Sequence, residues 1–168
     1  RKAVRHLYGK GRRRIMQFLP KQELQFGRFH YITRREEGYK TAIHELGLED
    51  LSYPFDYRNA LHEESNEGIM AMLDDAIKTI RPDAIAAQSD SFAAVILRYC
   101  HIKKIRVPED IAVIGFNNMD FSAFTYPALT TIDPEASKAA EKLVDMLCFP
   151  SELYSFTLET EIIEREST

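Results

Sequence analysis

The side chains best suited to chemistry lie in three short polar stretches of the sequence. Residues 88–90 (Gln-Ser-Asp) follow one apolar run, residues 116–118 (Phe-Asn-Asn) follow another, and a third stretch leads up to Arg35. Amides, a hydroxyl, a carboxylate and a guanidinium donate and accept many hydrogen bonds. The polar set in the first two stretches, Ser89, Asp90 and Asn117, contains no histidine to act as the base in acid–base or covalent catalysis. These residue types therefore favour recognition of a polar small molecule.

Common enzyme and metal-site signatures are absent from the sequence. It contains no Gly-x-Ser-x-Gly, no phosphate loop that ends in Gly-Lys-Ser/Thr, and no Gly-x-Gly-x-x-Gly after a predicted strand. Its five histidines have no partner at metal-ligand spacing. We therefore expect neither an enzyme nor a metal or cofactor site.

The composition is that of a folded globular protein. The chain has 168 residues, of which 45% are hydrophobic and 29% charged, enough for one domain or two small lobes. A net charge of −4 argues against nucleic-acid binding by this chain itself. No apolar run is long enough to span a membrane, and Cys100 and Cys148 are expected to be buried thiols. These features predict a cytoplasmic protein.

Apolar runs alternate with stretches of helical periodicity along the chain. The first eight residues indicate the last turns of a helix whose beginning is missing. Helices are expected at about residues 33–46, 66–80, 92–104 and 134–148, and strands or apolar runs at 14–20, 52–57, 84–87, 111–114, 129–132 and 154–164. This repetition predicts an α/β fold with a doubly wound, mostly parallel sheet.

Local signals indicate where two of the helices begin and end. Thr33 and Glu36 have the spacing of a capping box, and Gly47 is suited to end the same helix. Asp133 is a candidate N-cap, with Pro134 at the first helical position. In doubly wound sheets, ligands bind at the carboxyl ends of the strands. The three polar stretches are therefore expected to meet at that edge.

A family pattern runs through three longer stretches. Residues 82–93 contain Pro-Asp-Ala-Ile-Ala-Ala-Gln-Ser-Asp, residues 107–118 contain Val-Pro-Glu-Asp-Ile-Ala-Val-Ile-Gly-Phe-Asn, and residues 127–132 are Pro-Ala-Leu-Thr-Thr-Ile. Upstream, Arg35 begins an Arg-Glu-Glu-Gly-Tyr sequence. Together they resemble the effector-binding domain of LacI/GalR-family transcription regulators, which is periplasmic-binding-protein-like. The resemblance covers nearly all of the chain.

The resemblance implies a small-molecule sensor that belongs to a longer protein. Such a regulator, usually a repressor and a homodimer, binds a sugar or sugar derivative between two hinged lobes. Its helix-turn-helix, which is absent from this chain, contacts the DNA. The resemblance implies that residues 1–50 are part of the amino-terminal lobe, residues 51–130 the carboxy-terminal lobe, and residues 131–168 the hinge return with a closing helix and strand.

The resemblance also assigns the site residues. Arg35 takes the leading role, because its planar guanidinium offers five donors to hydroxyl, carboxylate or phosphate oxygens. The expected ligand-binding residues are Arg35, Ser89, Asp90, Phe116, Asn117 and Tyr57, with Phe55 as the alternative to Tyr57. Asp90 is expected mainly to cap its helix, with ligand contact secondary.

Asn117 departs from the family pattern, which has an aspartate at this position. The amide removes one negative charge from the expected site, so the effector is either a neutral sugar or an acidic or phosphorylated derivative. Two other functions stay open. A substrate-binding protein of a sugar importer has the same two-lobe fold, and an enzyme could be built on this sheet. The residues that precede Arg1 would discriminate among these.

Overall fold

The computed structural model describes residues 1–20, 30–55, 65–148 and 156–168. Helices and strands alternate along the chain, as the sequence predicted. The elements are α1 (Lys2–Gly9), β1 (Ile15–Pro20), α2 (His30–Glu45), β2 (Leu51–Phe55), α3 (Ser65–Ile80), β3 (Ala84–Ala87), α4 (Asp90–Lys103), β4 (Ala112–Phe116), a 3₁₀ helix (Asp120–Phe124), β5 (Thr130–Asp133), α5 (Ala136–Cys148) and β6 (Glu161–Ile163). No helix within these ranges is long and apolar enough to cross a membrane.

The strands form one six-stranded sheet in the order β2-β1-β3-β4-β5-β6. Neighbours from β2 to β5 pair in parallel, and β6 pairs antiparallel with β5 at the edge. The predicted α/β fold with a mostly parallel sheet is therefore confirmed. The sheet runs across the lobe boundary expected at residue 50, because β1 pairs with both β2 and β3. Strands on both sides of that boundary therefore belong to one sheet.

Each face of the sheet is covered by its own helices and has its own core. Ile85 and Ala87 of β3 pack with the apolar residues of α3 and α4. Ala84 and Ala86 point to the other face and pack with α1 and α2. All four residues of β3 are buried, which explains its continuous apolar sequence. The alanines on the α1/α2 face are small, so these helices do not fill all the space above β3.

The capping signals predicted for α2 and α5 do not mark the first residues of these helices. α2 begins at His30, so the capping-box pattern at Thr33 lies inside the helix rather than at its start. α5 begins at Ala136 rather than at Pro134, because Glu135 has a φ of +59°, which an α-helix does not allow. The Asp133 carboxylate does accept a hydrogen bond from the Glu135 backbone N–H (2.7 Å), so it closes the turn before the helix.

Two predictions for the carboxy-terminal part need correction. Only Glu161–Ile163 of the predicted final strand pairs with the sheet, and residues 156–160 are not in a strand. Cys100 is buried as expected, but Cys148 is exposed. The reason is that α5 has no buried residue in this chain, although its sequence is amphipathic.

A buried tyrosine attaches α2 to the sheet. The Tyr39 hydroxyl donates a hydrogen bond to the carbonyl oxygen of Ile15 in β1 (2.9 Å). It also accepts one from the backbone N–H of Leu51 in β2 (3.0 Å). Burial raises the pKa of the Tyr39 phenol above its usual range, so it stays protonated and keeps both bonds. Arg35 lies one turn earlier in α2, so this anchor also fixes the position of that arginine.

We expect the substitution Tyr39→Phe to destabilise the fold. It leaves a buried carbonyl and a buried N–H without their partner, which costs about 1–3 kcal/mol of unfolding free energy. Urea denaturation of the full-length protein measures the loss. Tyr8→Phe is the control, because that half-buried ring keeps its contact with the Arg13 guanidinium (3.9 Å). Equal stability of the two variants would contradict the anchoring role.

Candidate ligand-binding cavity

A cavity of about 180 Å³ opens at the carboxyl ends of the central strands, on the α1/α2 face. It lies where the strand order reverses, because β1 is flanked by β2 on one side and β3 on the other. Doubly wound sheets bind ligands at this kind of switch point. The cavity is lined by side chains from α1, α2 and four strands, among them Val4, Gln17, Arg34, Arg35, Gly38, Tyr39, Ala86, Gln88, Phe116 and Ile132.

Arg35 and Phe116 meet in this cavity. The centre of the Arg35 guanidinium lies 3.8 Å from the centroid of the Phe116 ring. Its Nη1 donates a hydrogen bond to the carbonyl oxygen of Gln88 (2.5 Å), directly after β3. The structure thus brings together two of the predicted site residues, Arg35 from α2 and Phe116 from β4. The result is a cation held against an aromatic face, an arrangement that is favourable for both groups.

Ser89, rather than Asp90, caps the helix that begins here. Ser89 is the N-cap of α4, and its hydroxyl accepts a hydrogen bond from the backbone N–H of Phe92 (3.4 Å). The expectation that Asp90 caps the helix is therefore wrong. Asp90 is fully buried, and its carboxylate accepts hydrogen bonds from the Thr131 hydroxyl (2.5 Å) and the Met119 backbone N–H (2.7 Å). This carboxylate connects α4 to the segment after β4 and to β5.

Asn117 is exposed in the turn that follows β4. It has a φ of +115°, and its backbone N–H donates to the carbonyl oxygen of Ile132 (2.9 Å). The next residue, Asn118, donates from Nδ2 to Asp133 (2.8 Å) and accepts from Arg165 (3.0 Å), which holds the turn in place. Asn117 itself does not line the cavity among the described residues.

The structure does not test the predicted ligand contact of Tyr57 or of its alternative, Phe55. Tyr57 lies outside the described residues. Of its alternative, Phe55, the structure describes only the backbone, at the end of β2. Of the predicted aromatic residues, Phe116 is the one that lines the cavity among the described residues.

The predicted ligand-binding residues leave out several polar residues of the cavity, among them Arg34, Gln88 and the buried Gln17. Gln17 is the most informative of these. This side chain is 8% exposed in the middle of β1, and its Nε2 donates to the carbonyl oxygen of Arg35 (3.4 Å). Its Oε1 is buried and has no hydrogen-bond partner among the described residues. An amide inside the apolar run from Ile15 to Leu19 was the available signal, because such runs are otherwise free of polar side chains.

Charge in the cavity is positive. Arg34 and Arg35 both line it, and the described lining contains no carboxylate. Arg34 is largely exposed and lies 3.8 Å from Glu37 on the same helix. The Asp90 carboxylate, two residues after Gln88, accepts hydrogen bonds from Thr131 and Met119 instead. The described lining can therefore attract oxygen-rich or anionic groups.

A close approach of backbone and carboxylate holds this edge of the sheet. A Cβ placed on Gly115 would lie 2.2 Å from Oδ1 of Asp90 and 3.0 Å from Leu129. Only a glycine therefore allows β4 to pass so close to the buried carboxylate. Since the next residue is Phe116, this contact also determines how far the Phe116 ring lies from Arg35.

The doubly wound sheet and the cavity at its switch point define a small-molecule-binding domain. A family model described as "Periplasmic binding protein-like domain" matches residues 4–168. The chain belongs to this family, and the predicted likeness to effector-binding domains of LacI-family regulators is confirmed.

Curated relatives and solved structures agree with this assignment. The ribose operon repressor of Escherichia coli K12 is 32% identical over 113 residues, which cover 67% of this chain and 33% of the repressor. The transcriptional repressor CytR of the same organism is 32% identical over 130 residues, covering 77% of this chain and 36% of CytR. A solved complex of the regulator CelR with cellobiose has a TM-score of 0.74 at 26% identity, covering 98% of this chain and 50% of that chain. The chain thus spans about a third of the length of the two repressors.

We expect Gly115→Ala to destabilise the protein strongly. The new methyl group would overlap the Asp90 carboxylate, which cannot move without breaking its buried hydrogen bonds, and overpacking of this kind costs about 1–3 kcal/mol. Thermal unfolding of the full-length protein measures the effect. Gly9→Ala is the matched control, because nothing lies within 4 Å of a Cβ at that position. If both variants melt like the wild type, the close approach is not a constraint.

Proposed function

We propose that this chain is the sugar-sensing part of a bacterial transcriptional repressor. The observation that carries the proposal is the Arg35 guanidinium stacked on Phe116 at the switch point of the sheet. Relatives include a ribose operon repressor, and a structural neighbour binds cellobiose. The effector of this chain is accordingly a sugar or sugar derivative, bound at the carboxyl ends of β1, β3 and β4.

The chemistry of the cavity suits a sugar. A guanidinium donates to several hydroxyl oxygens in one plane, and the aromatic ring contacts the apolar C–H face of a pyranose or furanose. Most of the remaining lining is aliphatic, as in small-molecule sites where a few polar groups set the orientation. A volume of about 180 Å³ is smaller than a typical ligand pocket, which agrees with this sheet forming one wall of a larger cleft.

The second wall comes from the rest of the protein in this proposal. Three large apolar residues of α5 are exposed, Leu143, Val144 and Leu147, and the helix buries no residue against this sheet. We assign this face to contact with the missing lobe, on the far side of the hinge. A sugar that bridges both walls favours the closed arrangement, and a full shift between the two states needs about 5.5 kcal/mol of differential affinity. A few charge-assisted hydrogen bonds of about 1.5–3 kcal/mol each supply it.

The other partners follow from the same assignment. DNA is contacted by a helix-turn-helix outside this chain, in keeping with the chain's own net charge of −4. The protein is not an enzyme, acts in the cytoplasm and needs no cofactor. The alternative, a substrate-binding protein of a sugar importer, has the same fold, but the curated relatives favour a regulator. A helix-turn-helix encoded before Arg1 would exclude that alternative.

Self-association is the last part of the proposal. The segment from Met119 to Tyr126 exposes several large apolar side chains, and the rings of Phe124 and Tyr126 are 86% and 88% exposed. Exposed apolar groups that cluster in one segment mark an interaction surface. We assign this surface to a second copy of the same protein, which gives a homodimer.

Arg35→Ala should abolish effector sensing without unfolding the protein. Loss of two charge-assisted hydrogen bonds weakens binding by about a hundredfold, or about 3 kcal/mol. Calorimetry on the full-length protein with ribose, cellobiose and ribose 5-phosphate gives both affinity and the charge preference. We expect the neutral sugars to bind. If only ribose 5-phosphate binds, the expected preference for neutral sugars is wrong. If none of the three binds, the proposal is contradicted.

Arg106→Ala is the control for this experiment. Arg106 is an exposed arginine paired with Asp110 in the loop before β4. This loop lies at the amino end of β4, whereas the cavity lies at the carboxyl ends of the strands. Its loss should leave the affinity for all three probes unchanged. If Arg35→Ala lowers the melting temperature but keeps the affinity, Arg35 is a structural residue and the assigned site is wrong.

Substituting both Phe124 and Tyr126 by serine should weaken self-association. Removing two rings deprives a small interface of much of its apolar area, so we expect the dimer dissociation constant to rise at least tenfold. Analytical ultracentrifugation of the full-length protein measures it. Ile102→Ser, at an exposed isoleucine on α4, is the control and should leave the dimer intact. An unchanged dissociation constant in the double variant would place the interface elsewhere.

A further inference from the structure

Gln17 is a buried amide that the fold itself does not satisfy. It is 8% exposed and lies in β1 between Ser52 of β2 and Ala86 of β3, its register partners. The Nε2 group makes one long hydrogen bond to the carbonyl oxygen of Arg35 (3.4 Å). Its Oε1 is shielded from solvent and has no partner in the described part of the chain. The large majority of buried side-chain polar atoms in folded proteins are paired, so this one requires an explanation.

Reorienting the side chain does not remove the problem. Exchange of oxygen and nitrogen would point Oε1 at the Arg35 carbonyl oxygen, an acceptor, and leave the N–H₂ group unpaired instead. A methionine or leucine of similar volume would fit the apolar α1/α2 core without any such deficit. The amide gives the fold only one long hydrogen bond and leaves its oxygen unpaired, which points to the cavity that Gln17 lines as the reason for it.

Because Oε1 is shielded from solvent, a ligand atom reaches it once the amide turns toward the cavity that Gln17 lines, where the neighbouring side chains are small. Ala86 and Gly38, which line the same cavity, carry the smallest side chains. The backbone of Arg35 is the group that Gln17 already contacts, so a ligand held by the Arg35 guanidinium lies within the same cavity as the unpaired oxygen. A hydroxyl both donates and accepts, and can satisfy the amide while it also accepts from the guanidinium.

We propose that Gln17 is a specificity-determining residue that accepts a hydrogen bond from one hydroxyl group of the bound sugar. This inference rests on the proposed function, since it names which group of the same cavity selects the effector. A site that hydrogen-bonds a particular hydroxyl rejects analogues that lack it, because its buried polar group is then left unpaired. Gln17 thereby separates sugars that differ at one position, whereas Arg35 provides affinity for any of them.

The test compares Gln17→Met with the wild type in the full-length protein. The probes are ribose and cellobiose, each with its monodeoxy analogues, and the measurements are the dissociation constant and the melting temperature without sugar. We expect one deoxy analogue to bind the wild type about tenfold more weakly than its parent sugar. Gln17→Met should bind the parent sugar about tenfold more weakly, show no further loss for that analogue, and melt no lower than the wild type.

Met16→Leu is the matched control. Met16 is the neighbouring residue of the same strand, but it packs in the core on the opposite face with α3 and α4. This variant should keep both the affinity and the pattern of losses across the deoxy analogues.

The outcomes separate this inference from the proposed function. Equal losses across the deoxy analogues in wild type and Gln17→Met would overturn the role of Gln17 and leave the sugar site standing. A lower melting temperature with unchanged affinity would show that the amide is structural, and would overturn it as well. If ribose, cellobiose and ribose 5-phosphate all fail to bind the wild type, the proposed function fails, and the role of Gln17 fails with it.

Discussion

The order of the strands is the constraint on which the rest of the structure depends. Because β1 lies between β2 and β3, the chain leaves β1 and β3 toward opposite faces of the sheet, through α2 and α4 respectively. Two helices that diverge from neighbouring strands cannot close over the strand ends. The opening between them is the cavity, and the side chains at the strand ends line it. The position of Arg35 on α2 and of Gln88 after β3 follows from this one topological feature.

Two charged residues at this edge have separate roles, and packing decides which is which. Asp90 is surrounded by the Thr131 hydroxyl, the Met119 N–H and the bare Cα of Gly115, so its carboxylate is fully engaged within the fold. The Arg35 guanidinium donates to the carbonyl oxygen of Gln88 and lies against the Phe116 ring, and both of these groups line the cavity. The carboxylate therefore holds α4 to β5, while the cation remains a feature of the cavity.

The sequence was most informative where local pattern and burial coincide. β3 was predicted at its exact bounds, because a strand covered on both faces must be apolar throughout, and the carboxyl-end rule brought Arg35 and Phe116 to one site. The start of α5 was missed because a positive φ at Glu135 leaves no mark on the residue type. The partner of Asp90 lies 41 residues away, and the unpaired oxygen of Gln17 exists only once α2 covers β1. Long-range contacts of this kind have no local signature.

The charge preference of the site depends on which groups line the cavity beside Arg35. With Asp90 engaged elsewhere and an amide at residue 117, no described group in the cavity lining opposes the positive charge of Arg35. A neutral sugar would be held there by directional hydrogen bonds, with Gln17 choosing the hydroxyl and Phe116 the face of the ring. An anionic derivative would gain attraction to Arg35 but pay for the loss of its hydration shell. The hydrogen bond from a sugar hydroxyl to the Gln17 amide does not depend on the charge of the ligand. Selectivity can therefore be set by Gln17 and charge preference by Arg35, within one cavity.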